Sequence, residues 1–364
     1  MKPLLILLLT LAAAGAGELQ LTLPPVVYAT PDVQMSLYHD NLVLTQTPEK
    51  YRFEFQCDVG TNEARRWTVK PADADVGDHP LEVQVKDASG AVLERGRTIL
   101  HVSPRKAGEG KALRLLIVGD SLTHASIYPN ELSSLLSRPG NPAWLMLGTH
   151  HPVSALPNVN HEGYGGWKWN DFLTKFDPKP AGVTAGPLAR KATSPFIFPS
   201  ADGKKGVFDL PRYFKEHAEG RPPDVVTFLL GINDCFGANP DKPDDKINEV
   251  LDKADLLLAE FHKAAPKALL AVGLTTPPNS RQEAFTANYK DRYPRWGWKR
   301  IQHRLVQRTL ERLSGREKEG IHLVPTELNL DPVDGYPVNN GVHPNPAGYA
   351  QVGASFYSWL KSRL

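Results

Sequence analysis

Only two of the 364 residues are cysteine, Cys57 and Cys235. Two thiols exclude a disulfide scaffold, and with the histidines scattered they offer no ligand spacing for zinc. Both are expected to be free thiols, in different halves of the chain. The formal net charge is only +2, which removes the electrostatic case for nucleic acid or an anionic membrane as partner. No long single-sign run compensates: Arg295 to Arg312 is basic but interleaved with apolar residues at helical spacing, the pattern of a solvated helix face. Beyond the first residues, no apolar stretch is long enough to span a bilayer. No metal or cofactor is expected.

What is present begins with Lys2, an apolar Leu4–Leu11 and Ala14-Gly15-Ala16. These read as a secretory signal over residues 1–16, implying a secreted or periplasmic protein without a membrane span in the mature chain. Residues 18–104 then alternate: Leu19–Leu23, Tyr51–Phe55 and Leu81–Val85 read as short strands, Asp87-Ala88-Ser89-Gly90 as a turn, and Thr98–Val102 as a return. That rhythm suggests an immunoglobulin-like all-β sandwich. A packing role is favoured for it over sugar binding. Its polar Tyr38-His39-Asp40-Asn41 is a candidate loop for reaching a site elsewhere.

Residues 112–364 alternate strand and helix. Strands are expected near Leu113–Val118, Trp144–Leu147, Val225–Leu230, Leu269–Leu274 and Ile321–Val324. Helices are expected near Asn130–Ser137, Ile247–Lys263, Trp296–Leu313 and Pro346–Ser362. Alternation of this kind argues a parallel sheet covered on both faces. Five such strands suggest a flavodoxin-like doubly wound α/β fold. Pro178–Arg221, long and rich in Pro, Gly and Lys, reads as an insertion bordering a substrate cleft.

Four segments carry the chemistry. Leu115-Leu116-Ile117-Val118-Gly119-Asp120-Ser121-Leu122-Thr123 is a buried strand ending in a turn, where ligands bind in open α/β sheets. Taken alone, Asp120 and Ser121 suit an ordinary helix N-cap as well. Glu162-Gly163-Tyr164-Gly165-Gly166-Trp167, Leu230-Gly231-Ile232-Asn233-Asp234 and Gly341-Val342-His343-Pro344-Asn345 follow in order. With these four blocks, residues 112–364 resemble the SGNH hydrolases of the GDSL esterase family, and within it exported carbohydrate esterases. The same fold is implied. The resemblance makes Ser121 the nucleophile and His343 the base. It makes the Ser121 and Gly163 backbone N–H groups and the Asn233 side chain the oxyanion donors, with the choice among Gly163, Gly165 and Gly166 open. The α/β-hydrolase elbow is excluded, because Thr123 stands at its second glycine.

One position departs from the pattern: the family's usual Asp three residues before the histidine is Asn340 here. An amide can orient an imidazole but cannot offset its positive charge. Three explanations arise. The enzyme runs as a Ser-His dyad, which is favoured; or Asp331, Asp334 or Glu162 substitutes for the missing carboxylate; or the protein is slow or inactive. Trp167 and Trp169, and farther on Tyr289, Trp296 and Trp298, are candidate sugar-binding rings, although about half of such aromatics are expected in the core. The expected function is a serine esterase removing O-acetyl groups from a polysaccharide or oligosaccharide. The alternatives are a lipid ester or thioester hydrolase, and a catalytically weak carbohydrate-binding protein on an esterase scaffold.

Overall fold

The computed structural model describes residue 19 and residues 21–178 and 192–364. The signal-like segment 1–16 lies outside the described residues, as does 179–191 of the insertion. Seven strands come first: β1 (Val26–Ala29), β2 (Met35–Tyr38), β3 (Arg52–Gln56), β4 (Thr61–Asn62), β5 (Arg66–Val69), β6 (Gly77–Lys86) and β7 (Val92–Val102). They form two sheets, ordered β1-β7-β6-β3 and β2-β5-β4. Inward residues of both, among them Leu37, Trp67, Leu81, Val83 and Leu100, share one core. The small β domain is therefore a sandwich. Among the described residues of Leu19–Leu23, only Leu21 pairs, in an isolated bridge with Val43, so the strand expected there is not formed. Tyr38–Asn41 ends β2 and enters the one-turn helix α1 (His39–Leu42).

The rest of the chain supplies β8 (Ala112–Gly119), α2 (Ser121–His124), α3 (Ile127–Leu136), β9 (Ala143–Leu147), β10 (Glu162–Gly163), α4 (Trp169–Thr174), the hairpin β11 (Ile197–Pro199) and β12 (Gly206–Phe208), α5 (Leu210–His217), β13 (Val225–Leu229), α6 (Ile232–Cys235), α7 (Asp244–Ala264), β14 (Leu269–Gly273), α8 (Gln282–Tyr289), α9 (Arg295–Leu313), β15 (Ile321–Val324) and α10 (Pro346–Lys361). The parallel sheet runs β9-β8-β13-β14-β15, which in order of appearance is 2-1-3-4-5, the doubly wound arrangement. A sixth strand, β10, continues the β9 edge: β9 pairs with Ala112–Leu116 of β8, and β10 with Val118 and Gly119.

Leu115, Leu116, Ile117 and Val118 are fully buried. Each such side chain stabilises the fold by roughly 1.5–3 kcal/mol. Register then positions chemistry. Gly119 lies beside Gly163 on one side and Leu229 on the other. Three of the four chemical blocks therefore leave the sheet at one level. The fourth enters from α10, which starts just after His343 at Pro346, with the Asn345 side chain accepting the Gly348 N–H.

The sandwich grips the segment that leads to that fourth block. Asn41 donates to the carbonyls of Glu327 (2.7 Å) and Leu330 (2.8 Å), Ser36 N–H donates to Asn329 Oδ1 (2.8 Å), and Leu328 belongs to the sandwich core. Tyr38–Asn41 thus braces the chain leading to the candidate site and is not among the residues that line it. Among the described residues, no helix is long and apolar enough to cross a membrane.

Candidate active site

Strand β8 hands directly to α2. Gly119 has ordinary backbone torsions, so its lack of a side chain matters for space: a Cβ there would sit 2.0 Å from Thr123 Oγ1. Asp120 caps α2, accepting the Leu122 N–H at 2.9 Å, and Ser121 opens the helix. His343 Nε2 lies 2.8 Å from Ser121 Oγ. Its Nδ1 lies 3.2 Å from Asn340 Oδ1, which also accepts the N–H groups of Val342 (3.1 Å) and His343 (3.0 Å). An oxygen facing two backbone donors cannot be the amide nitrogen, so Nδ1 carries the ring proton and Nε2 offers its lone pair to the serine. Burial holds the His343 pKa below its ordinary 6.5, which keeps the imidazole neutral at neutral pH.

The other carboxylates named as substitutes are engaged elsewhere. Asp331 and Asp334 are both paired with Arg65 of the sandwich. Glu162 is fully buried and accepts from the Thr149 N–H (2.7 Å), the Thr149 hydroxyl (3.1 Å), the Tyr213 hydroxyl (2.7 Å) and the Tyr164 hydroxyl. The ring of His343 is oriented by an amide.

The Gly163 N–H is also committed, donating to His161 Nδ1 at 3.1 Å. A Cβ at Gly163 would meet Thr123 at 2.5 Å, so this glycine lets β10 pack against α2. Gly166, at φ 79°, lines the cavity together with Ser121 and Asn233. Among the described residues, the Ser121 and Gly166 N–H groups have no acceptor of their own. The Gly163 N–H expected to serve an oxyanion is therefore occupied by His161, whereas the Gly166 N–H is open beside the cavity. Asn233 Nδ2 lies 3.0 Å from the Trp167 carbonyl and 3.4 Å from Asp120 Oδ2. The second distance is long for a hydrogen bond, which leaves one amide proton for the cavity.

That cavity has a volume of about 590 Å³. One wall is aromatic: Phe236 packs 4.9 Å from Tyr289 and 4.2 Å from Tyr293, ring centre to ring centre. A family model described as GDSL-like Lipase/Acylhydrolase matches residues 115–356, about two thirds of the chain. The chain belongs to this family. No curated protein matches it. Solved structures similar to this GDSL protein include a carbohydrate acetylesterase family member from Sinorhizobium meliloti (14% identity, 69% of this chain and 98% of that one, TM-score 0.41). Another is the M. smegmatis aryl esterase (15%, 69% and 100%, 0.41). A third is a family two carbohydrate esterase from Clostridium thermocellum in complex with cellohexaose (16%, 92% and 90%, 0.34).

Several residues of this GDSL chain fall elsewhere than expected. Trp167 and Trp169 are 1% and 4% exposed, Trp167 packed against Tyr164 and Phe172, Trp169 stacked on Phe228. They present no face to a sugar. Their backbones serve the site instead: the Trp167 carbonyl holds Asn233, and the Trp169 N–H donates to Asp234 Oδ1 at 3.1 Å. The insertion's Phe196, Phe198, Tyr213 and Phe214 are core residues, and among its described residues none lines the cavity. Of the later aromatics, Tyr289 lines it and Trp298 is buried. Phe236, Tyr293, Lys168, Lys246 and Arg292 were not singled out by sequence; the aromatic density of 289–298 was the one available signal. Cys57 and Cys235 are both free thiols.

Two buried carboxyls flank the oxyanion side. Burial pushes Asp120 up to about 7, against the Leu122 N–H that lowers it. Burial does the same to Asp234, to about 7, against the Trp169 N–H and the Lys168 charge. His161, fully buried and held neutral by burial, accepts the Gly163 N–H on Nδ1. It therefore donates from Nε2 to Ser126 Oγ at 2.9 Å, tying the glycine block to the turn after α2.

Proposed function

We propose that this GDSL-family protein is an exported serine esterase that removes short acyl groups, acetyl foremost, from carbohydrate. The observation that carries the reading is the alignment Ser121 Oγ–His343 Nε2, with His343 Nδ1 on Asn340, beside two uncommitted backbone donors. Ser121 Oγ attacks the ester carbonyl carbon while Nε2 takes its proton. The carbonyl oxygen becomes an oxyanion, received by the N–H groups of Ser121 and Gly166 and by Asn233 Nδ2. His343 returns the proton to the sugar oxygen as the C–O bond breaks, leaving an acyl-serine. A water, deprotonated by the same nitrogen, then releases acetate and restores the serine. The chain's own residues supply each step.

Support for a sugar as the leaving alcohol comes from the cavity. Its lining mixes polar and charged side chains with an aromatic wall. That weighs against a lipid ester. Residues 1–16 act as the export leader in this reading, and 18–104 as a packing domain for 112–364. Asn340 in place of a carboxylate favours a second reading, a carbohydrate-binding protein with little turnover. Acetate release by the chain lacking residues 1–16, wild type against Ser121→Ala, on p-nitrophenyl acetate and acetylated polysaccharides separates the two. Serine-dependent release is expected. A folded protein that releases nothing sinks the esterase reading.

A further inference from the structure

The cavity contains three cations that the reaction does not use: Lys168 after the glycine block, Lys246 at the start of α7, and Arg292 in the turn between α8 and α9. Along α9 and just beyond it, Arg300, Arg304, Arg308, Arg312 and Arg316 each have a carboxylate within 4.0 Å. Among the described residues, no carboxylate lies that close to Lys168 or Arg292, and Lys246 meets only the exposed Glu249 of its own helix.

The acidic groups nearby have other work. Asp234, the carboxyl that lines the cavity, is buried and holds the Trp169 N–H. Asp171 accepts the backbone N–H of Lys168 at 2.8 Å. Asp291 adjoins Arg292 in sequence without forming an ion pair with it. The local excess is therefore positive in a chain whose net charge is only +2. Concave walls of low dielectric concentrate such a field.

The rest of the lining points the same way. Apart from Ser121, Asn233 and His343, the neutral polar side chains there are the hydroxyls of Tyr289 and Tyr293. A neutral saccharide, recognised through its hydroxyls, would find few amides or hydroxyls to pair with. The exposed Arg292 guanidinium lies 5.0 Å from the Tyr293 ring centre, and among the described residues its side chain makes no hydrogen bond or ion pair. The fork of donors that a guanidinium presents matches the two oxygens of a carboxylate or sulfate.

We propose that the acylated saccharide is anionic, and that Lys168 and Arg292 hold a carboxylate or sulfate it carries while the ester lies over Ser121. The inference rests on the esterase reading for where the ester sits, but its test needs no turnover. Binding to folded Ser121→Ala is measured by calorimetry with tetragalacturonate, a sulfated galactotetraose and xylotetraose. One of the two anionic sugars is expected to bind at least about tenfold more tightly than xylotetraose in about 50 mM NaCl; which one does so identifies the anion. Raising the salt to about 500 mM is expected to remove most of that preference. So is adding Lys168→Gln and Arg292→Gln, checked for unchanged melting temperature. Equal or tighter binding of xylotetraose, no binding of either anionic sugar, or a preference that survives both substitutions would overturn the proposal. Failure of wild type to hydrolyse p-nitrophenyl acetate bears on the esterase reading alone.

Discussion

Along α7 and α9, positive charge is met by negative charge: Arg304 lies on Asp244, Arg312 on Asp252 and Asp255, Arg316 on Asp255 and Glu319. In the cavity the pattern reverses. Among the described residues Lys168 and Arg292 form no ion pair, His343 faces an amide, and Asp120 and Asp234 are buried without an ion-pair partner. A pair of exposed opposite charges is already satisfied and has little left to give a ligand. A charge or donor held ready without a partner keeps its interaction for whatever arrives, as a site that stabilises a transition state requires.

Substitutions test that contrast, and the largest effect belongs to the groups with no alternative. Ser121→Ala should reduce turnover by about 10⁴ or more, with the melting temperature unchanged; activity that persists would remove the serine from the mechanism. Asn233→Ala should lower kcat by about 10²–10³ with a smaller change in KM, and an effect confined to KM would contradict the oxyanion assignment. The two glycines should separate by readout. Gly166→Ala should lower kcat, whereas Gly163→Ala should lower the melting temperature, because its methyl would strike Thr123; loss of kcat alone from Gly163→Ala would restore that residue to the oxyanion hole.

Asn340→Asp sharpens the contrast at its centre. The base works only when neutral, so activity falls as pH drops through the His343 pKa, which burial keeps below 6.5. A carboxylate favours the imidazolium and raises that pKa. The acid limb of the pH–rate profile should therefore move to higher pH. An unmoved limb would mean that His343 already senses a carboxylate. The smallest effect is expected among the paired charges: Arg312→Gln should cost less than about 1 kcal/mol in denaturant unfolding and leave kcat/KM alone.

Much of this was legible in the sequence, for identifiable reasons. A run such as Leu115–Val118 has no comfortable place except a sheet buried on both faces, and the helical spacing of α7 and α10 left little choice of element. Ser121, Asn233 and His343 could be read because each sits in a block of fixed order. Gly163 and Gly166 could not be told apart, since both are glycine for steric reasons and only the acceptor at His161 separates them. Trp167 and Trp169 show the limit on aromatic residues: a ring has the same composition whether it stacks on Phe228 or on a sugar. The cationic lining was out of reach, because Lys168, Lys246 and Arg292 lie far apart in the chain and converge only through the winding of the sheet.

Leu328 follows β15 along the chain yet completes the sandwich core, and the amide of Asn41 spans the carbonyls on either side of it. The seam visible in the sequence near residues 103–110 is therefore not where the two halves part energetically. A gene cut there and rejoined to another family member's sandwich would leave the Leu328 side chain and the carbonyls of Glu327 and Leu330 without their counterparts, in the segment leading to His343. An exchange of the first half that preserves these contacts has to carry residues 327–334 with it, so the packing unit of the sandwich is discontinuous along the chain.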